Sequence, residues 1–262
     1  MLEMISAVAG YGREPILNGA SLTLRRGELV ALIGANGCGK STLLRTLVGL
    51  LPTAAGEVRL DGTPLSSLKK TEVARRVAYL SQGREIPNMT VGELVLCGRF
   101  PHLAYPRRYR AEDRAAAARA ICRVGLDALA DRPLAALSGG GRQAAYIAMA
   151  LAGETDAILL DEPTTHLDPA HAADTLRLLR GLAGEGRAVL AVMHDLPLAF
   201  TLADRILLLD GGRIVLDAPP AEAAASPAIA AALGVTVFKI TGEEAYACRY
   251  PQGGKNDTRN AP

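Results

Sequence analysis

Residues 28–42 read ELVALIGANGCGKST, and this stretch decides the fold. Leu29 to Ile33 is an unbroken apolar run, the pattern of a strand buried on both faces. Gly34 breaks it into a glycine-rich turn, and helix formers resume from Ser41 to Val48. Gly34, four residues, then Gly39-Lys40-Ser41 fills every fixed position of the phosphate-binding P-loop. The residues of the turn (Gly34, Ala35, Asn36, Gly37, Cys38, Gly39) are expected to wrap inward, aiming successive backbone N–H groups at phosphate oxygens. The helix starting at Lys40-Ser41-Thr42 adds the positive end of its dipole. Lys40 is expected at the β- and γ-phosphates, and the Ser41 hydroxyl on Mg²⁺. A glycine-rich strand–helix turn with a surface lysine is the bland alternative. With a strand before, a helix after and no fixed position missing, the pattern predicts binding of a nucleoside triphosphate.

A chain of 262 residues accommodates one large domain, or a core with a subdomain, around a sizeable apolar interior. Basic residues number 29 against 27 acids, a net charge of +2, so there is no electrostatic case for a nucleic-acid partner. The four cysteines (Cys38, Cys97, Cys122, Cys248) are far apart, without CxxC spacing. A disulfide at Cys38 would disrupt the phosphate loop, so a reducing compartment and no structural metal are expected. No apolar stretch approaches the roughly 18–20 residues that span a bilayer. Met1-Leu2-Glu3-Met4 lacks the basic start and apolar run of a signal peptide. A soluble, cytoplasmic chain is expected, one that reaches a membrane only through a partner.

Leu2 to Val8 and Ala20 to Leu24 read as an antiparallel hairpin laid against the core. Tyr11 sits between two glycines, either as a platform for a nucleobase or as a simple turn aromatic. After the P-loop helix come a strand at Glu57–Leu60, a tight turn at Asp61-Gly62, and a strand reached from Arg75 and ending in Tyr79-Leu80-Ser81-Gln82. From Gly83 to about Gly153 the β-branched runs give way to alanine-rich helical stretches, notably Ala111–Val124 and Ala144–Ala152. This reads as a helical subdomain (83–153) inserted between two parts of an α/β core (1–82 and 154–220). Within the insert, Leu137-Ser138-Gly139-Gly140-Gly141-Arg142-Gln143 precedes a helix. Ser138 is a plausible N-cap, and the glycines leave backbone amides free for an anion or merely loosen the helix start.

The core returns at Ala157-Ile158-Leu159-Leu160, a buried strand whose end presents Asp161 and Glu162. An acid there meets the Mg²⁺ coordination sphere in P-loop proteins, which suits Asp161. Glu162, pointing the other way along the strand, could polarise a water toward the γ-phosphate. The strand Ala188–Met193 ends in His194-Asp195. Parallel sheets place ligands beyond the carboxyl ends of their strands, so Gly34, Asp161 and His194 are expected on one edge. A hairpin around Gly211-Gly212 follows, then a partly helical Ala/Pro-rich stretch, 217–234. The chain from 221 onward is a C-terminal extension whose polar end, 251–262, is expected to be disordered.

The order of these pieces resembles the ATP-binding subunit of an ABC transporter over nearly the whole chain. Gln82 matches the Q-loop glutamine, Leu137 to Gln143 the signature sequence, and Ile158 to Asp161 the Walker B strand. Glu162 matches the catalytic glutamate, Leu167-Asp168 the D-loop and His194 the switch histidine. Tyr11 falls where the family has its adenine-stacking aromatic. One departure stands out: the family usually has Gln or Glu where this chain has Gly141. The resemblance implies a P-loop NTPase (RecA-like) α/β core, with an N-terminal antiparallel β-subdomain and the helical insert. It implies ATP and Mg²⁺, with Ser41, Gln82 and Asp161 around the metal. It also implies a head-to-tail dimer in which Ser138, Gly139 and Gly140 of one copy contact the ATP held by the other.

Gly98-Arg99-Phe100-Pro101-His102 and Pro163-Thr164-Thr165-His166-Leu167-Asp168 look like the branch that energises import of ferric siderophores, haem or cobalamin. That branch would pair the chain with separate permease subunits and, indirectly, a substrate-binding protein, on the cytoplasmic side of the inner membrane. The stretch 83–105, with Arg99 and His102, is expected to receive the permease. His102 and His166 are read as loop residues, with no iron site in this subunit. Two other classes compete: the motor of an exporter or lipid transporter, and a soluble, non-transport ATPase of this fold. The latter usually carries tandem cassettes or coiled-coil insertions, which this chain lacks.

Overall fold

Two segments of alternating polarity open the chain. In the computed structural model, which describes residues 1–12, 14–83, 86–165 and 167–250, they form β1 (Leu2–Ala9) and β2 (Leu17–Leu24). The pair is antiparallel, with Leu2 opposite Leu24 and Ala9 opposite Leu17. The apolar run becomes β3 (Leu29–Ile33), buried throughout, and the phosphate loop leads into α1 (Lys40–Leu47). β4 (Ala55–Leu60) and β5 (Thr63–Pro64) complete a four-stranded antiparallel sheet in the order β2-β1-β4-β5.

Next come α2 (Lys70–Arg76) and β6 (Val77–Leu80). Arg75 and Arg76 are helical and do not lead into the strand as extended chain. The helix is started by Glu72, whose carboxylate accepts the Lys69 N–H at 2.7 Å. Among the described residues three α-helices then separate β6 from β7 (Ala157–Leu160): α3 (Val91–Cys97), α4 (Ala111–Arg123) and α5 (Gly139–Ala152). α5 begins five residues before the alanine-rich stretch suggests, because the Ser138 hydroxyl accepts the Gly141 N–H at 3.1 Å and caps it. The chain continues through α6 (Pro169–Gly184), β8 (Ala188–Val192), α7 (Leu196–Leu202), β9 (Arg205–Asp210) and β10 (Arg213–Ala218). It ends with α8 (Pro220–Ala225), α9 (Pro227–Leu233) and a hairpin of β11 (Thr236–Lys239) and β12 (Tyr246–Arg249). That hairpin has no counterpart in the sequence reading. Its strands are four residues each, and it is anchored by Tyr246, whose ring packs at a tilt against Phe200 with centroids 5.7 Å apart. The expectation of disorder at 251–262, and His166, lie outside the described residues.

The central sheet runs β10-β9-β3-β8-β7-β6, parallel except for β10. Its alternating side chains serve two layers. Leu29, Ala31 and Ile33 join the core beneath the inserted helices, α6 and α7. Val30 and Leu32 join the core shared with α1 and the antiparallel sheet. β3 thus lies between two apolar layers, so its carboxyl end is held rigidly where the phosphate loop begins.

Candidate active site

The loop after β3 requires glycine at its ends. A Cβ on Gly34 would lie 2.4 Å from the Leu209 carbonyl oxygen, and Gly39 holds φ 106° with Ile16 Cγ2 2.8 Å from where a Cβ would stand. Lys40 is buried, and its Nζ donates to the carbonyl oxygens of Gly34 at 2.8 Å and Ala35 at 2.9 Å. The ammonium therefore lies across the start of the loop, where the first N–H groups of α1 also converge. Ala35, Asn36 and Gly37 are exposed at the loop's crest, and Cys38 is half-buried, with burial pushing its thiol pKa up. Thr42 turns inward and is buried, so only its backbone can face a phosphate.

Asp161 follows β7, its N–H donating to the Leu80 carbonyl at 2.8 Å. The carboxylate is 3% exposed, and its Oδ1 has no hydrogen-bond partner among the described residues. Oδ2 stands 3.5 Å from the Tyr79 hydroxyl. Burial pushes the Asp161 pKa up and the charge of Glu162 adds to this, against the pull of the Ser41 hydroxyl and the Arg45 charge. A buried carboxylate oxygen without a donor, beside a serine hydroxyl, is a hard-oxygen arrangement that suits a divalent cation such as Mg²⁺.

Glu162 does not continue the strand, as the sequence reading has it. Its φ of 53° is left-handed, and this turn separates its carboxylate from that of Asp161. Three side chains then bind it, two from distant elements and one, Thr165, from the same turn. Gln82 Nε2 donates to Oε2 at 2.6 Å, Thr165 Oγ1 to the same oxygen at 2.9 Å, and His194 Nε2 lies 2.7 Å from Oε1. Burial raises the Glu162 pKa, but the bonds from His194 and Thr165 and the charges of His194 and Lys40 outweigh it, leaving it below the usual range. The carboxylate stays ionised at neutral pH and can accept a proton.

Gly139 and Gln82 share with Asp161, Glu162 and Thr165 a cleft of about 390 Å³. A Cβ on Gly140 would lie 2.9 Å from the His171 ring of α6. At Gly141 a side chain would press on Leu137, with atoms at 3.3 Å. Glycine there lets Leu137 lie close against the helix start, where the Gly141 N–H also donates to the Ser138 hydroxyl. Tyr11 is 58% exposed, its hydroxyl accepting from Arg45 Nη1 at 2.8 Å. Neither Arg45 nor Thr165 is given a role at the site by the sequence motifs, although Thr165 lies in the stretch Pro163–Asp168. Arg45's one signal is its place four residues after Ser41, on the same helix face.

The Gly98–His102 stretch requires a correction. Arg99 is not a surface group awaiting a partner but is 8% exposed. Its Nε bonds Asp113 Oδ1 at 3.0 Å, and its Nη1 bonds the Ala152 carbonyl and Glu154 at 3.0 and 2.8 Å. His102 Nε2 lies 2.9 Å from the Gly153 carbonyl oxygen. These side chains knit α3, α4 and the end of α5 together. In the 83–105 stretch Ile86, Phe100 and Tyr105 are exposed, beside the exposed polar side chains of Asn88 and Glu93.

A glycine-bounded loop after β3, a buried lysine at its end and a carboxylate pair at the end of β7, one strand removed from β3 in the parallel sheet, define a P-loop nucleoside triphosphatase. The ABC transporter family matches residues 17–165, and the chain belongs to it. It is an ATP-binding ATPase of that family. It is 45% identical to the ferric enterobactin transport ATP-binding protein FepC of Escherichia coli (strain K12), over 81% of this chain and 79% of that one. It is 43% identical to the hemin import ATP-binding protein HmuV of Streptomyces coelicolor (strain ATCC BAA-471 / A3(2) / M145), over 84% and 80%. Among solved structures it resembles an ATP-binding cassette in a dimeric post-hydrolysis state bound to ADP and Pi, with TM-score 0.73, 28% identity and coverage of 84% and 99%.

Proposed function

We propose that this chain powers a membrane importer for an iron chelate or a similar metal complex, in the class of ferric siderophores, haem and cobalamin. The convergence of Gln82 and His194 on Glu162, beside Asp161 and the phosphate loop, carries the catalytic part of this reading. The relatives that transport ferric enterobactin and hemin support the cargo class.

In this reading Tyr11 stacks on adenine, while the backbone N–H groups from Gly34 to Gly39 and the Lys40 ammonium hold the phosphates. Lys40 exchanges its two loop carbonyls for phosphate oxygens when the nucleotide enters. Ser41, Asp161 and Gln82 would hold Mg²⁺, which would supply positive charge to offset the negative charge of the phosphates. Glu162 takes a proton from the attacking water, and His194 orients that carboxylate. Two copies meet head to tail, so that Ser138, Gly139 and Gly140 of one serve the nucleotide of the other. The dimeric ADP-bound cassette supports such an assembly. Permease subunits receive the motion, and a substrate-binding protein delivers the cargo. No helix among the described residues is long and apolar enough to cross a membrane, which agrees with peripheral attachment at the cytoplasmic face of the inner membrane.

Uptake of iron-labelled siderophore and of haemin tests this, using cells that lack the chain and cells resupplied with it or with its Lys40→Ala variant. Restoration of uptake by the wild type alone is expected. If no metal complex depends on the chain while another solute is expelled, the motor serves an exporter instead.

A further inference from the structure

The phosphate helix α1 reaches the proposed base platform through the side chain of Arg45. Ser41 and Arg45 are four residues apart on this helix and share a face, separated by about 6 Å along its axis. From there the Arg45 guanidinium donates through Nη1 to the Tyr11 hydroxyl at 2.8 Å, and its Cζ is 5.8 Å from the ring centroid. The same guanidinium interacts with the Tyr79 hydroxyl on β6, and Tyr79 in turn reaches Asp161 Oδ2. Arg45 thus links the loop around Tyr11, the helix that starts at the phosphate loop and the strand that leads to Gln82. Tyr11 lies between Gly10 and Gly12, outside any strand or helix, so its own backbone holds it weakly.

We infer that Arg45 is a positioning residue for nucleotide selection, holding the Tyr11 ring by its hydroxyl at a fixed distance from the phosphate loop. The inference rests on the reading of Tyr11 as the adenine platform and adds why that residue is tyrosine. The bond engages the ring at its hydroxyl edge, leaving ring surface open to a base. Because α1 is rigid and carries both Ser41 and Arg45, the spacing between base and phosphates is set by one element. A ligand that fills both ends gains from this arrangement, whereas one that fills only the phosphate end does not.

Equilibrium binding of ATP and of inorganic tripolyphosphate separates these ideas, measured on Tyr11→Phe, Arg45→Ala, Arg45→Lys, the Tyr11→Phe/Arg45→Ala double variant and Tyr11→Ala. Removing one hydrogen bond should weaken ATP binding about threefold to tenfold in Tyr11→Phe and in Arg45→Ala, with tripolyphosphate binding altered less than twofold. Arg45→Lys, which keeps a donor, should recover part of the loss. The double variant should be no weaker than the weaker single, because both changes remove the same bond. Tyr11→Phe binding ATP like the wild type, losses that add in the double variant, or an equal fall for tripolyphosphate would each overturn the inference. Tyr11→Ala tests the underlying reading by itself. If it leaves ATP affinity intact, Tyr11 is not the platform. If it weakens ATP while Tyr11→Phe does not, the platform stands and the role of Arg45 falls. Should Arg45→Ala not fold, Tyr11→Phe alone decides, since it removes only an exposed hydroxyl.

Discussion

His194 Nε2 lies 2.7 Å from Oε1 of Glu162, although 32 residues of chain separate them. The bond joins the turn after β8 to the turn after β7, two adjacent parallel strands. It helps hold the Glu162 carboxyl below its usual pKa, against the opposing effect of burial. Removing it should therefore raise that pKa. For a base that acts ionised, the acidic limb of kcat/KM lies at the base's pKa in the free enzyme. His194→Ala is expected to shift this limb to higher pH and to lower ATPase activity by about 10-fold to 100-fold through lost orientation. A pH–rate profile checks both, and an unmoved limb would show that His194 acts on something other than Glu162.

Glu162→Gln keeps the shape but cannot take a proton. ATP binding should persist through Lys40, Ser41 and Asp161, while turnover falls by about 10²–10⁴-fold. The variant should collect as an ATP-bound dimer, visible by gel filtration with and without ATP. Normal hydrolysis would move the base role elsewhere, with His194 the next candidate.

Arg99 joins the buried Asp113 of the helical insert and the half-exposed Glu154 just beyond its end. Reversing its charge would leave Asp113 buried beside a second carboxylate. Breaking such a buried pair costs about 3–5 kcal/mol, so Arg99→Glu should unfold at markedly lower temperature and lose ATPase activity with it. This replaces the expectation that Arg99 is a permease contact. Tyr105→Glu, at an exposed side chain, should leave the melting temperature within a degree or two while lowering uptake by the assembled transporter. Unimpaired uptake in Tyr105→Glu would exclude that part of the surface from the permease contact.

Asp161 is a carboxylate kept buried at a cost. Its folded pKa lies above the ordinary value, so between the two the folded state binds more protons than the unfolded one. Its contribution therefore falls as pH rises through that window, leaving the ionised form a burden at neutral pH. Asp161→Asn removes the charge and should raise the melting temperature of the protein without nucleotide. The same variant should lose the extra stabilisation that Mg²⁺-ATP gives the wild type. Scanning calorimetry with and without Mg²⁺-ATP reads both effects, and a lower melting temperature without ligand would refute the charge argument.

The sequence by itself determined the nucleotide loop, because ELVALIGANGCGKST is contiguous and each residue's role depends on its neighbours. The same holds for the ends of β7 and β8, where short apolar runs stop at Asp161 and His194. Ser138 is likewise legible as a cap, although the helix it starts, α5, takes in the glycines that the alanine-rich stretch leaves out. The tertiary structure alone decided what those ends face. Glu162 turns through a left-handed residue that no pattern of polarity marks, and it meets partners delivered by β6 and β8. Arg99 reads as a surface charge in its apolar surroundings, yet α4 and the turn after α5 bring Asp113 and Glu154 to it and bury it. Arg45 resembles any outward residue of a short helix until the Gly10–Gly12 turn brings Tyr11 against it. Periodicity and turn chemistry act over a few residues and survive in the sequence. Hydrogen bonds between residues tens of positions apart exist only once the two apolar layers have closed on β3 and fixed where each strand ends.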